Sequence, residues 1–355
     1  MRIHRDFIGG NIQVIKTEGA EIFVGNELRD TMEDWFYWAF CVEGAQGSTL
    51  TFHFIKKWLG YYGPAVSHDL KTWHWLGAEN ETVASDSFTY TFGAEEDCVY
   101  FAHDMLYHPA NFADFCQKEG LKILPLCISG EGRAVPCVHM GTGSQVILLT
   151  ARHHACEAAG SYVLEGVMEE LHREGIPGLK VIAVPFVDYD GVVTGDQGKS
   201  RAPWDHNRDY DPGKEGIYTS VNALRRIAKE EKVRYAFDFH SPWHIGGMND
   251  WISIPLKHNT TLKDTIRFAK LFEKRITPQA LPFSATNILP PDVEAWNRSD
   301  TTCFGNYMHR TAGAELSFTL ETPYFRTSGC PFSPEGARET GRCFARALRE
   351  YHFPA

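Results

Sequence analysis

The chain has 355 residues, 43% hydrophobic and 23% charged, with a formal net charge of −10. Such a balance describes a globular protein of one large or two medium domains with ample core. The acidity argues against a nucleic-acid partner, and no apolar run reaches the roughly 18 residues that a membrane helix needs.

The opening MRIHRDFIGGNIQV has no apolar core of a secretory signal. The nine cysteines are scattered and never form a CxxC pair. They read as free thiols of a reducing compartment, so a cytoplasmic location is expected. Residues 1–115 read as β-rich. Short apolar and aromatic runs recur at Glu21–Gly25, Trp35–Val42, Thr49–Phe54, Phe88–Phe92 and Cys98–His103, separated by turn-rich pieces. Close-set strands of this kind predict an antiparallel β-sandwich with its aromatic rings inside.

A short helix is expected over Pro109–Lys118, and Ser129–Val138 reads as a connector or an early strand. From Ser144 the rhythm changes to strand, helix, strand, helix. This predicts an α/β unit over residues 116–355, a mixed sheet flanked by helices. Its strands are Val146–Leu149, Leu179–Val187, Val233–Phe239 and Leu316–Leu320. Its helices follow Glu157 and cover Ser220–Glu231, Leu262–Lys274 and Pro334–Glu350.

The polar residues with chemical promise sit where these strands end, which is where open α/β sheets bind ligands. The first strand delivers Arg-His-His-Ala-Cys-Glu, residues 152–157. His154 and Glu157 can share one metal ion if a second histidine arrives from elsewhere. The third strand ends Asp238-Phe239-His240, with Asp238 and His240 on one face. His154, Glu157 and His240 then make a His₂Glu set with an open fourth position, the donor pattern of catalytic zinc. In the last strand Ser317, Thr319 and Glu321 share the polar face. Glu321 at its exit is placed to move a proton between water and a leaving group. The loop 188–211 is too long and too charged for a plain connection. It carries Lys199, Arg201, Asn207 and Arg208, and guanidinium forks suit carboxylates and oxyanions.

Taken together, the pieces ARHHACE, DGVVTGDQGKSR, DHNRDY, DFHSPW and SFTLETPY resemble the zinc carboxypeptidase family. The nearest branch is that of the cytosolic carboxypeptidases and their bacterial relatives, which carry a β-sandwich ahead of the catalytic domain. The resemblance implies a zinc-dependent metallocarboxypeptidase holding one Zn²⁺ per chain and acting on a peptide with a free C-terminal carboxylate. It makes His154, Glu157 and His240 the metal ligands and Glu321 the catalytic glutamate. Asn207 and Arg208 correspond to the pair that grips the terminal carboxylate. Arg201 corresponds to the oxyanion arginine, with Lys199 as its competitor, and Tyr307 is available as the mobile tyrosine over the substrate. It also implies a cis peptide after the third ligand, here Ser241–Pro242. Relatives that remove glutamate carry a basic residue upstream of the catalytic glutamate. Here Thr302–Tyr307, TCFGNY, carries none.

Two other readings stand beside this one. A deacylase of N-acyl amino acids, of the aspartoacylase-like or succinylglutamate desuccinylase-like kind, shares the HxxE pattern and the Asn-Arg pair. The sandwich placed before the catalytic unit argues against it. A non-catalytic glycan- or peptide-binding protein is a different class, and the intact histidines and glutamates argue against it.

Overall fold

The computed structural model describes residues 1–77, 85–257, 261–294 and 296–353. Nine short strands build the N-terminal part: β1 (Arg2–His4), β2 (Gln13–Glu18), β3 (Glu21–Gly25), β4 (Ala39–Glu43), β5 (Thr49–Phe54), β6 (Ala65–Ser67), β7 (His74–Trp75), β8 (Ser87–Thr91) and β9 (Cys98–Ala102). They form two sheets, in the orders β1-β4-β9-β6-β7 and β2-β3-β5-β8. Alternation sets the interior. Leu50, Phe52 and Phe54 of β5 meet Phe40 and Val42 of β4 and Val99 and Phe101 of β9 in one buried cluster.

The antiparallel expectation holds for every pair but one, because β3 lies parallel to β5. Residues 35–38 are not strand; they are a buried connection leading into β4. The expected runs also passed over β1, β2, β6 and β7. In β2 every residue is exposed, so it carries no inward periodicity to read.

The helix α1 (Pro109–Glu119) runs through the expected boundary at residue 115. Beyond it come β10 (Ile123–Ile128), β11 (Ala134–Met140), β12 (Gln145–Ala151), α2 (Ala158–Glu174), β13 (Leu179–Val184), α3 (Tyr189–Thr194), α4 (Thr219–Glu230) and β14 (Val233–His240). A small parallel pair, β15 (Ile254–Pro255) and β16 (Ile288–Leu289), flanks α5 (Leu262–Arg275). Then follow α6 (Phe304–Arg310), β17 (Leu316–Glu321) and α7 (Pro334–His352).

The main sheet has the order β10-β11-β13-β12-β14-β17. Its first two pairings are antiparallel and the remaining three parallel, giving the mixed sheet that was expected. Helices cover both faces. Tyr162 and Val163 of α2, Phe268 of α5 and Phe344 of α7 pack on one side. Val221 and Leu224 of α4 and Phe304 and Met308 of α6 pack on the other. Helices α2 and α7 approach closely at glycine. A Cβ on Gly166 would lie 1.9 Å from the Arg338 carbonyl oxygen. The same seam is laced by Arg342–Glu169 at 2.7 Å and Arg346–Glu170 at 3.0 Å.

The parallel arrangement brings the carboxyl ends of β12, β14 and β17 side by side, with His240 directly opposite Glu321. The expected cis bond at Ser241–Pro242 is not found. It is trans, and the cis bond among the described residues is Ala202–Pro203. Trans remains the lower-energy form of an X–Pro bond by about 0.5–1 kcal/mol. His240 is held by strand register, which does not depend on the peptide after it.

Candidate active site

After Ala151 the chain leaves the sheet through Arg152, whose φ of 59° is left-handed. Its buried guanidinium donates from Nε to the Ala155 carbonyl at 2.8 Å and from a terminal nitrogen to the Tyr107 carbonyl at 3.1 Å. These bonds strap the loop that carries the first two predicted ligands. Glu157 stands at the N-cap of α2, yet its carboxylate makes no capping bond. It turns instead between two imidazoles. Oε1 lies 2.9 Å from His154 Nδ1, and Oε2 lies 2.7 Å from His240 Nδ1.

The donor atoms of His154, Glu157 and His240 all lie within 4.8 Å of one another. The far nitrogen of each ring faces a carboxylate. His240 Nε2 donates to Asp238 Oδ2 at 2.5 Å, and His154 Nε2 sits 3.6 Å from Asp205 Oδ1. This is how metal-binding histidines are oriented, with Nδ1 turned towards the Glu157 carboxylate that would share the ion. Asp238 also accepts from His153 Nδ1 at 2.8 Å, and His153 Nε2 accepts a hydrogen bond from the Tyr210 hydroxyl at 2.8 Å. His153 therefore braces the site from behind. The three donors converge with their second nitrogens occupied, so the residues fit a divalent ion of the zinc type.

Burial alone would raise the Glu157 carboxyl, but the charges of Lys199, His154 and His240 overcome it and hold it well below its ordinary range. Glu321 differs. Burial raises its carboxyl, and the neighbouring Glu157 charge adds to that. Its Oε2 is buried without a hydrogen-bond partner. Two carboxylates in one cavity are thus pushed in opposite directions, Glu157 towards the ionised form that a metal ligand needs and Glu321 towards the protonated form.

The cavity has a volume of about 440 Å³, and Asn207, Arg208 and Glu321 line it with the ligands. The Asn207 amide oxygen accepts from the Phe304 N–H at 3.0 Å, which fixes its orientation. The Arg208 guanidinium reaches only the Asn207 carbonyl, at 3.3 Å, and has no carboxylate partner among the described residues.

Two predicted residues lie elsewhere. Arg201 points away from the cavity into a nest of carboxylates, 3.0 Å from Asp30 and 2.8 Å from both Asp188 and Asp196. Three anions outcompete a neutral oxygen for one guanidinium. Lys199 lines the cavity in its place, with Nζ 2.7 Å from Glu157 Oε1 and 4.6 Å from the centre of the Trp35 ring. Tyr307 is corrected too. It is buried on α6 in the core behind the site, 5.7 Å from the Tyr210 ring. It is held there by packing and does not reach over the cavity.

Sequence reading missed the walls. Glu33 and Trp35 come from the β-domain, Trp243 follows β14, and Lys257 and Trp296 lie beyond it. The β-domain grips the Lys199 loop directly. Asp30 accepts the backbone N–H of Gln197 at 3.0 Å and of Gly198 at 2.8 Å. Gly198 is obligatory in this arrangement, since a Cβ there would lie 2.1 Å from the Ala155 nitrogen. Lys257 Nζ donates to the Asn297 amide oxygen at 2.7 Å and has no carboxylate within ion-pair reach among the described residues. No local pattern announced it.

Residues 3–103 match the cytosolic carboxypeptidase N-terminal domain family. An uncharacterised protein of Zymomonas mobilis is 29% identical over 188 residues, covering 49% of this chain and 48% of that protein. Mouse cytosolic carboxypeptidase 3 is 24% identical over 313 residues, covering 79% of this chain and 30% of its own. The chain therefore spans less than half the length of either relative. A metallo-carboxypeptidase structure from Burkholderia cenocepacia superposes with a TM-score of 0.77 at 18% identity, over 99% of this chain and 98% of that one. One from Pseudomonas aeruginosa, in complex with (2-guanidinoethylmercapto)succinic acid, gives 0.76 at 20% identity over 98% of each chain. The fold and the His₂Glu cluster define a metallocarboxypeptidase-type α/β unit behind a β-domain. The matching family model, the curated relatives and the solved structures agree in likening the chain to the metallo-carboxypeptidases, on the side of the cytosolic carboxypeptidases. Among the described residues no helix is long and apolar enough to cross a membrane.

Proposed function

We propose that the chain is a zinc-dependent carboxypeptidase that removes a C-terminal residue from a peptide in the cytoplasm. The observation that carries this reading is the convergence of His154, Glu157 and His240 opposite Glu321, in a cavity walled by the unpaired Arg208. His154, Glu157 and His240 would hold the ion, which when bound supplies Lewis acidity and lowers the pKa of water towards about 7. Arg208 and Asn207 bind the terminal carboxylate and so restrict cleavage to chain ends. Glu321 takes a proton from the attacking water and returns it to the departing amine. Its raised carboxyl suits that two-way transfer. Lys199, and not Arg201, supplies the positive charge for the developing oxyanion.

The substrate side chain follows from Lys257. A second unpaired cation in the cavity that holds Arg208 favours a terminal residue with a second carboxylate, glutamate or aspartate. The domain boundary in this reading lies between His103 and Pro109, ahead of α1. The test is a panel of peptides with free and amidated C-termini, assayed beside N-acyl amino acids. Cleavage restricted to free C-termini is expected, with Glu321→Gln keeping its metal and losing turnover. Hydrolysis of N-acyl amino acids alone, or full activity in Glu321→Gln, overturns the proposal.

A further inference from the structure

The outer face of the first sheet carries a second group of metal-type donors, remote from the catalytic cavity. Facing residues on neighbouring strands share a face, and here two facing pairs lie next to each other. His4 of β1 faces Cys41 of β4, and Glu43 of β4 faces Cys98 of β9. Their neighbours Phe40, Val42, Val99 and Phe101 turn into the sandwich, so these four turn outward together. The Cys41 and Cys98 sulfurs are 3.0 Å apart, and His4 Nε2 is 3.2 Å from Glu43 Oε1. The donor atoms of His4, Cys41 and Glu43 lie within 4.8 Å of one another, and Cys98 stands outside that group and joins it through Cys41.

The group is sheltered. Cys41 is fully buried, and Phe7 packs edge-on against the Tyr100 ring beside it at 5.1 Å. His4 Nε2 is buried, and its approach to Glu43 is too misaligned to be a hydrogen bond. His4 Nδ1 accepts the Asp6 backbone N–H at 3.2 Å, which fixes the ring with Nε2 towards Glu43.

We propose that His4, Cys41, Glu43 and Cys98 form a structural site for one thiophilic divalent ion, zinc by its donor set. Two sulfurs, one imidazole and one carboxylate are tetrahedral zinc donors and do not suit magnesium or calcium. A disulfide is the competing use of the cysteines. They are diagonal in the register, not directly opposite, and diagonal neighbours sit about 7–8 Å apart. That lies at the upper edge of the roughly 7 Å within which a disulfide forms without backbone movement. A bridging ion spans such a pair without it. The ion would tie β1 to β4 and β9.

The site is independent of the peptidase reading, and cobalt separates the two. The His154, Glu157 and His240 set contains no sulfur, so a thiolate-to-cobalt charge-transfer band cannot arise there. Full-length protein loaded with Co²⁺ is expected to show that band and to hold a second equivalent of metal. Glu157→Gln should lower the metal content by one equivalent and keep the band. Cys41→Ser with Cys98→Ser should remove the band and the other equivalent. If the serine variant fails to fold, thiol labelling of the native chain decides: zinc should slow labelling of Cys41 and Cys98, and chelation should restore it. Absence of the band in the loaded native protein, labelling indifferent to zinc, or a Cys41–Cys98 disulfide found by mass spectrometry each overturns the proposal.

Discussion

Replacing Lys257 by methionine tests the selection of the terminal side chain while keeping the length of the residue. The ammonium is largely withdrawn from water and donates to a neutral amide, so its charge is unspent until a carboxylate arrives. The Coulomb attraction of such a pair at 4 Å is about 4 kcal/mol at an effective dielectric of 20. Desolvation cancels part of it, and hydrogen bonds to charged groups leave about 1.5–3 kcal/mol net. At about 1.4 kcal/mol per decade, kcat/KM for a peptide ending in glutamate should fall about 10- to 150-fold. A peptide ending in leucine should lose little or gain. The loss should fall mainly on KM, because the contact is present in the bound substrate as well as in the transition state. The pH dependence has a definite sign. Burial, then the Arg208 charge, lowers the Lys257 pKa. The preference for glutamate over leucine should hold at neutral pH and vanish as pH rises through that lowered value, sooner than for an ordinary lysine. Steady-state kinetics with the two peptides measures all of this. Equal losses on both, or a native enzyme indifferent to the terminal charge, would refute the reasoning.

Arg208→Gln should cost free-carboxylate peptides about 1.5–3 kcal/mol in kcat/KM and leave the bound metal unchanged, as read by kinetics beside metal analysis. Asp238→Asn removes the charge and one of the two acceptor oxygens that orient His153 and His240 and should weaken zinc binding about 10- to 100-fold, which competition with a chelating dye would record. Gly166→Ala drives a Cβ against the Arg338 carbonyl in the seam of α2 and α7 and should destabilise the fold by about 1–3 kcal/mol in chemical denaturation. Gly305→Ala, with open space at its Cβ, serves as its control and should be neutral or stabilising.

The chemistry was legible where it is carried by short motifs at strand ends. A buried parallel strand must run to its carboxyl end before it can expose a polar side chain, so ARHHACE, DFH and TLE announced His154, Glu157, His240 and Glu321. The aromatic alternation within residues 1–115 likewise announced two packed sheets, because every second ring must leave water. Weak periodicity hid β1, β2, β6 and β7, and local order could not reveal the parallel pairing of β3 with β5.

Which cation of Gly-Lys-Ser-Arg faces the cavity was not a local matter. Lys199 and Arg201 are two residues apart in one loop, and the choice is made by Asp30, some 170 positions earlier in the chain, which binds the loop backbone and the Arg201 guanidinium together. Lys257, Trp35 and Trp296 are cavity residues for the same reason. Each belongs to a segment without catalytic pattern, and only packing brings it to the wall. The residues themselves thus determined the sheet, its direction and the donors at its edge, because those follow from periodicity and side-chain chemistry along a few residues. Tertiary structure decided the pocket around them, because a cavity is bounded by segments distant in sequence and its charge depends on which of them meet.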